Sequence, residues 1–267
     1  MTLTTFSPPD KPAAVADPVP HDVNTQWPGL AVASASLGVP LTPGVQEQLA
    51  TYLRVLSERN AQFNLTAIRD PEAMERRLFL DAIAMIPTLD RLVTSRRSRT
   101  PRLIDVGSGA GFPGLVLKIV RPALLVTLLD ATGKKVRFLD EVIAATALTG
   151  IEALHGRAED LGRNPEYRER YNLATARAVA SLPVLLELTT PFLDVGGNAL
   201  LPKGRDLGEE LAQGKKAARL LGCRIESSEV LPAGDTRLII VEKVTLTPGR
   251  YPRPTGIPNQ SPLGVPA

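Results

Sequence analysis

Leu103-Ile-Asp-Val-Gly-Ser-Gly-Ala-Gly-Phe-Pro-Gly114 is the stretch from which the architecture follows. The aliphatic run Leu103–Val106 reads as a buried strand, and Pro113 suits the start of a helix. Between them Gly107, Gly109 and Gly111 let the backbone turn tightly and let a ligand approach the main chain. A strand, a glycine turn and a helix in that order open a βαβ unit. In an open α/β sheet such a turn lies outside the carboxyl end of a central strand, where ligands bind.

Downstream the alternation repeats. Val126–Leu129, Ile151–Leu154, Leu173–Thr175 and Ala199–Leu201 read as strands, with helical stretches including Leu115–Val120, Lys134–Ala147 and Leu182–Phe192 between them. Short aliphatic runs separated by helices argue a buried parallel sheet. Cys223–Val230 and Leu238–Val244 add two strand candidates with no long helix between them, and Pro232-Ala-Gly-Asp235 supplies a turn. The expectation is a seven-stranded, mostly parallel sheet closed by an antiparallel hairpin, over residues 96–245.

Two ligands compete for the glycine turn. A dinucleotide fingerprint needs a third small residue at position 112, which is Phe112. The sequence instead has a carboxylate at Asp105, giving D-x-G-x-G-x-G. That suits S-adenosylmethionine (SAM), whose methionine end carries an ammonium and no pyrophosphate. The next strand ends in Asp130, placed to accept hydrogen bonds from ribose hydroxyls; nicotinamide sites use the same device, so Asp130 argues for an adenosine ligand of either kind. It also serves as an N-cap for the helix that follows. Gly156-Arg-Ala-Glu-Asp160 brings the backbone of Ala158 and Glu159 to an adenine edge. Arg177 and Lys203 emerge at the carboxyl ends of the fourth and fifth strands.

Residues 41–95 read as an N-terminal helical cap. Val45, Leu49, Tyr52, Leu53 and Leu56 form the stripe of one amphipathic helix. Asp70-Pro71 starts a second, with Met74, Leu78, Asp81, Ala82 and Met85 on one face. Asp81 there needs a partner, because an unpaired buried carboxylate is costly. Of 24 prolines, six lie in residues 1–30 and six in 244–267. Residues 1–40 are therefore expected to be a mostly disordered leader, and 246–267 an extended basic tail carrying Arg250 and Arg253.

Composition narrows the function. One cysteine, Cys223, excludes a disulfide scaffold and a multi-cysteine zinc site. The two histidines, His21 and His155, are too far apart for the histidine-pair metal motifs, so no metal is expected. A net charge of +3 permits a nucleic-acid partner without demanding one. Arg96-Arg-Ser-Arg99, Lys134-Lys-x-Arg137 and Lys215-Lys216 are candidate pieces of a phosphate track. No apolar run is long enough to cross a bilayer and no secretory signal is visible, so a cytoplasmic setting and no membrane partner are expected.

Four stretches together resemble the small-subunit (16S) ribosomal RNA guanine-N7 methyltransferase family, also called glucose-inhibited division protein B. They are Phe63-Asn-Leu-Thr-Ala-Ile-Arg-Asp70, Asp105-Val-Gly-Ser-Gly-Ala-Gly-Phe-Pro-Gly114, Ile119-Val-Arg-Pro122 and Leu129-Asp-Ala-Thr-Gly-Lys-Lys-Val-Arg-Phe-Leu139. The tail Tyr251-Pro-Arg-Pro-Thr-Gly-Ile-Pro258 is similar to that of some members. The resemblance implies a class I SAM-dependent, Rossmann-like methyltransferase fold and methyl transfer to N7 of a guanine in 16S RNA or a small-subunit particle; a monomer is expected. It implies that SAM lies on Gly107 and Phe112, with Gly109 in the same turn, that Asp130, Ala131 and Thr132 take the ribose side, that Ala158 and Glu159 take the adenine side, and that Arg177 is the family's site arginine. Arg77-Leu-Phe-Leu-Asp-Ala82 departs from the family, with Leu78 in place of a histidine and Ala82 in place of a serine. A nicotinamide-dependent oxidoreductase and a methyltransferase with a non-RNA substrate stand as rival readings.

Overall fold

The computed structural model describes residues 28–96, 100–177, 180–232 and 236–265. The N-terminal part contains α1 (Pro28–Ser36), α2 (Pro43–Phe63), α3 (Pro71–Met74), a π-helical stretch Glu75–Leu80, α4 (Asp81–Ile83) and α5 (Ile86–Arg96). β1 (Arg102–Val106), α6 (Gly114–Val120), β2 (Leu125–Asp130), α7 (Gly133–Ala145), β3 (Ile151–His155), α8 (Ala158–Leu161) and β4 (Tyr171–Thr175) follow. The chain continues through α9 (Leu182–Thr189), a 3-10 turn Thr190–Phe192, β5 (Leu193–Gly204), α10 (Gly208–Leu220), β6 (Cys223–Val230), β7 (Thr236–Lys243) and α11 (Ile257–Gln260).

The sheet has seven strands in the order β3-β2-β1-β4-β5-β7-β6. β1 to β5 run parallel, and β7 is antiparallel to both β5 and β6. Side chains alternate across it, as the two-residue period of a strand requires. Leu103, Leu200, Leu238 and Ile240 enter a core with α2, α6 and α7; Ile104, Ala199, Ile239 and Val241 enter a second core with α9 and α10. The sheet is thus covered on both faces, which is why its strands read as nearly continuous aliphatic runs. The strand order reverses between β1 and β4, so the crevice of the fold opens at their carboxyl ends.

Residues 43–63 form one helix as expected, whereas the stretch expected as a single second helix is interrupted by the π-helical turns Glu75–Leu80 and ends at Ile83. The Asp70 carboxylate accepts from Ala73 N at 2.7 Å, the N-cap bond its position required. Met74, Leu78, Asp81, Ala82 and Met85 are all buried. The leader needs correction: residues 28–36 are helical, and Leu30 and Val39 are buried in the same core as α2 and the π-helical stretch. Proline density averaged over the whole segment concealed an apolar stretch with a core to join. Residues 1–27 lie outside the described residues, as do Arg97–Arg99 of the first basic cluster and residues 233–235 of the expected hairpin turn. The tail also needs correction: it is folded against the domain, with Tyr251 and Leu263 buried among the side chains of the second core.

The glycine turn is held from below. Asp105 is fully buried, and its Oδ2 accepts from Gly114 N at 2.9 Å, tying the end of β1 to the start of α6. A Cβ on Gly114 would stand 2.6 Å from Leu128 and 2.7 Å from that carboxylate, so only glycine permits this approach. Burial pushes the Asp105 carboxyl up from 3.8 to about 7, against the pull of the Gly114 N–H and of Arg177. Below pH 3.8 both the folded and unfolded chains hold the proton. As pH rises from there toward 7 the unfolded chain ionises first, so stability is lost across that window. Asp105→Asn is therefore expected to gain on the native chain between about pH 4 and pH 7, by up to about 4 kcal/mol. Urea unfolding at each pH measures the gap, and parallel pH profiles for the two proteins would refute the assignment.

Candidate functional site

The site forms at the carboxyl ends of β1, β2, β3 and β4. The glycine turn curls over the neighbouring strand: Gly107 N and Ser108 N both donate to Leu129 O, at 2.8 and 3.0 Å. Gly107, Gly109 and Gly111 all have positive φ, at 70°, 58° and 95°. Only at such positions is glycine required by the backbone itself. A Cβ on Gly111 would strike Leu115 at 2.3 Å and the Tyr52 hydroxyl at 2.8 Å. A Cβ on Gly109 would meet nothing closer than Gly107 O, at 3.8 Å. The turn is therefore packed tightly below and open above.

Asp130 knits the turn to the next loop. Its Oδ2 accepts from Gly109 N at 2.9 Å and its Oδ1 from Thr132 N at 2.8 Å. The side chain thus braces the turn and the loop before α7, whose N-cap is Thr132 and not Asp130 as the sequence suggested, because the helix starts only at Gly133. Each carboxylate oxygen still carries a second lone pair for a ligand hydroxyl. His155 lies opposite Asp130 in the β2–β3 register, and its Nε2 is 3.1 Å from Ala131 O. Gly156 N donates to Asp130 O at 3.1 Å, and the chain then enters α8 at Ala158. Gly107, Gly109, Asp130, Ala131, Thr132, Ala158 and Glu159 thus surround one rim, along three adjacent strand ends.

Phe112 is not offered to a ligand as a stacking face. Its ring is buried, stacked on Tyr52 at a centroid distance of 5.1 Å and set edge-on to Phe79 at 5.0 Å. Tyr52, from α2, also donates its hydroxyl to Ala110 O. Burial drives the Tyr52 hydroxyl well above its usual pKa, so it remains a donor. The amphipathic stripe that marks Tyr52 as a core residue gives no sign that its hydroxyl reaches the glycine turn.

Arg177 stands beyond the end of β4 and turns toward the helical cap. Its Nη2 lies 3.3 Å from Asp81 Oδ2 and donates to Arg77 O. Asp81 Oδ2 accepts in addition from Thr236 Oγ1 at 2.6 Å, which supplies the partners that carboxylate needed. Burial lowers the pKa of Arg177, with Asp81 opposing that shift; the guanidinium stays charged. Lys203 is committed elsewhere, to Ala180 O at 2.9 Å and Glu210 at 2.8 Å. Arg96 pairs with Asp194 at 2.8 Å and so leaves the proposed phosphate track. Lys134 and Arg137 remain exposed on α7, and Lys135 is half-buried with its Nζ 4.0 Å from Asp130 Oδ2.

The chemistry of this donor set fits SAM. Asp105 Oδ1 is buried beneath the turn with no hydrogen-bond partner. A buried carboxyl that ionises near neutral pH beneath an open backbone cradle favours a positively charged ligand over a pyrophosphate. Among the described residues no group of three or more His, Cys, Asp or Glu side chains is placed to hold a metal ion, and no helix is long and apolar enough to cross a membrane.

Comparisons with known proteins agree with one another. The family described as rRNA small subunit methyltransferase G matches residues 45–239. A Ribosomal RNA small subunit methyltransferase G from Leuconostoc mesenteroides subsp. mesenteroides is 44% identical over 234 residues, spanning 86% of this chain and 96% of that protein. Its counterpart from Chloroflexus aggregans is 45% identical over 229 residues, spanning 85% and 93%. A SAM dependent methyltransferase structure from Aquifex aeolicus aligns with a TM-score of 0.50 at 16% identity, covering 68% of this chain and 97% of its own, a likeness of fold alone. With a match over most of its length and relatives this similar, the chain belongs to the rRNA small subunit methyltransferase G family.

Proposed function

We propose that this chain transfers a methyl group from SAM to small-subunit ribosomal RNA, and that the acceptor is N7 of a guanine. Family membership supports the first part and sets aside the oxidoreductase and the non-RNA substrates. The observation that carries the second is the state of the ionisable groups at the rim. Asp130 is bound to backbone N–H groups, His155 to a backbone carbonyl, and Arg177 to Asp81 and the cap. Neither Asp130 nor Arg177 is placed to take a proton from a substrate, and His155 has its Nε2 turned to the Ala131 carbonyl. Guanine N7 needs no such base, since its lone pair is free at neutral pH.

SAM supplies a methyl group already activated on a sulfonium. The chain's task is binding and alignment, and well-oriented reactants gain roughly 7–11 kcal/mol in favourable cases. The Gly107–Gly111 turn offers backbone to the methionine side, with Phe112 supporting it from below. Asp130 accepts from ribose hydroxyls beside Ala131 and Thr132. Ala158 and Glu159 line the adenine side. Arg177 does not face N7, where positive charge grows during transfer; its remaining N–H groups bind guanine O6, an RNA phosphate or the SAM carboxylate. N7 of a paired guanine in A-form RNA lies in a groove too deep and narrow for side chains. The target is therefore a loop or a distorted helix, approached from the side of the cap and α7. We place the reaction in the cytoplasm, with the chain acting as a monomer.

Labelled methyl transfer to naked RNA, small-subunit particles and bulk protein tests this reading. Label should appear in small-subunit RNA, as N7-methylguanosine on nucleoside analysis; label in protein alone, or on another nucleoside, refutes it. Gly109→Ala should weaken SAM binding about tenfold or more, equal to roughly 1.4 kcal/mol, because the added methyl enters the open cradle at positive φ. Isothermal titration gives the affinity. Arg177→Ala paired with Asp81→Asn, which avoids an unpaired buried carboxylate, should lower turnover at least about tenfold. Unchanged turnover and SAM affinity would remove Arg177 from the site. RNA binding should fall steeply with salt, and a flat profile would exclude a phosphate track on α7.

A further inference from the structure

The tail that composition marks as a free arm is a strap. After β7 the chain crosses the domain face bearing α8, α9 and α10. Arg168 holds it at Thr247 O and Tyr251 O, at 2.6 and 2.8 Å, and Arg163 holds Pro252 O at 2.7 Å. Its anchor is Arg253, which grips Glu187 through three guanidinium bonds at 2.9, 3.2 and 2.7 Å, while its backbone N–H binds the same carboxylate at 2.8 Å. Glu187 lies on α9 and is fully buried. A buried charge of this kind is poor evidence of added stability, but a fork-shaped pair fixes the register of whatever carries the arginine. Three residues on, the strap reaches α8: Gly256 N donates to Glu159 Oε1 at 3.1 Å, and Thr255 Oγ1 to Asp160 Oδ1 at 3.3 Å.

α8 has four residues, Ala158 to Leu161. A helix so short has almost no stability of its own, so its position comes from what packs on it. Its first two residues are those assigned above to the adenine side. We infer that the C-terminal strap is a working part of the cofactor site: anchored by Arg253 on Glu187, it pins Glu159 through Gly256 and thereby sets the affinity for the adenosine end of SAM. The inference rests on the adenine assignment of Ala158 and Glu159. It assigns Arg253, Thr255 and Gly256 as positioning residues, outside the reacting atoms, and removes Arg253 from any role as a phosphate contact.

Steady-state methyl transfer with SAM and RNA varied separately tests it, with SAM affinity measured by titration on the same proteins. Arg253→Ala should raise the KM for SAM about tenfold, the scale of one lost charge-assisted bond, with kcat and the KM for RNA kept. Arg253→Lys should restore part of the loss. Because Arg253→Ala strands a buried carboxylate, the double variant Arg253→Ala/Glu187→Gln and the mild variant Thr255→Val accompany it; both should raise the KM for SAM in folded protein. An unmoved KM for SAM in variants that melt like the native chain overturns the strap's role. So does a rise in the KM for RNA alone, which would make the tail an RNA arm. Failure of the unaltered chain to bind SAM would overturn the proposed function, and this inference with it, in a way the variants cannot mimic.

Discussion

The underside of the glycine turn is where polar backbone meets a dry core, and the remainder of the site depends on how that meeting is arranged. The upper face of the turn must stay free for a ligand, so its rigidity comes from beneath. Asp105 clamps β1 to α6 through Gly114 N, and Tyr52 reaches up from α2 to Ala110 O. Tyr52, Phe79 and Phe112 fill the space between. The helical cap is therefore part of the foundation of the cofactor site. That arrangement has a cost, since a carboxyl with its pKa at about 7 is a destabilising element at neutral pH. Charge held at a functional edge against its own desolvation is a familiar pattern in binding sites.

A second link joins the cap to the far side of the crevice. Arg177 from the end of β4, Asp81 from α4 and Thr236 from the start of β7 meet at one carboxylate oxygen. Three elements distant in sequence are thereby held in register where the strand order reverses. Through this carboxylate the cap joins the framework that supports the glycine turn. Leu78 and Ala82, which stand where the family often has histidine and serine, are buried beside Asp81, so apolar packing surrounds the Asp81–Arg177 ion pair here.

The strap completes the rim on the opposite side. With the glycine turn braced by Asp130 and α8 pinned by Gly256, adjoining edges of one pocket are held by hydrogen bonds to backbone N–H groups. A pocket of this kind suits a reaction whose demand is alignment more than proton transfer. The energy is invested in fixed geometry, and the acceptor's own lone pair does the bond making.

The local signals in the sequence were sufficient for the α/β class, the seven strands, the terminal hairpin, the cap helices and the glycine turn with Asp130. Each rests on short-range physics: a two-residue or 3.6-residue period, a helix cap, or a backbone angle open to glycine. The fate of long side chains was beyond that reach. Asp81 was visibly in need of a partner, yet Arg177 and Thr236 lie 96 and 155 residues away. Phe112 stood as a candidate contact for SAM until Tyr52 and Phe79 closed on its ring. Arg253 looked like one more solvated cation in a proline-rich tail, because nothing near it in sequence reveals that Glu187, fully buried on α9, requires a counter-charge. Periodicity and turn chemistry act between neighbours along the chain, whereas desolvation acts between neighbours in space, and only the folded chain says which those are.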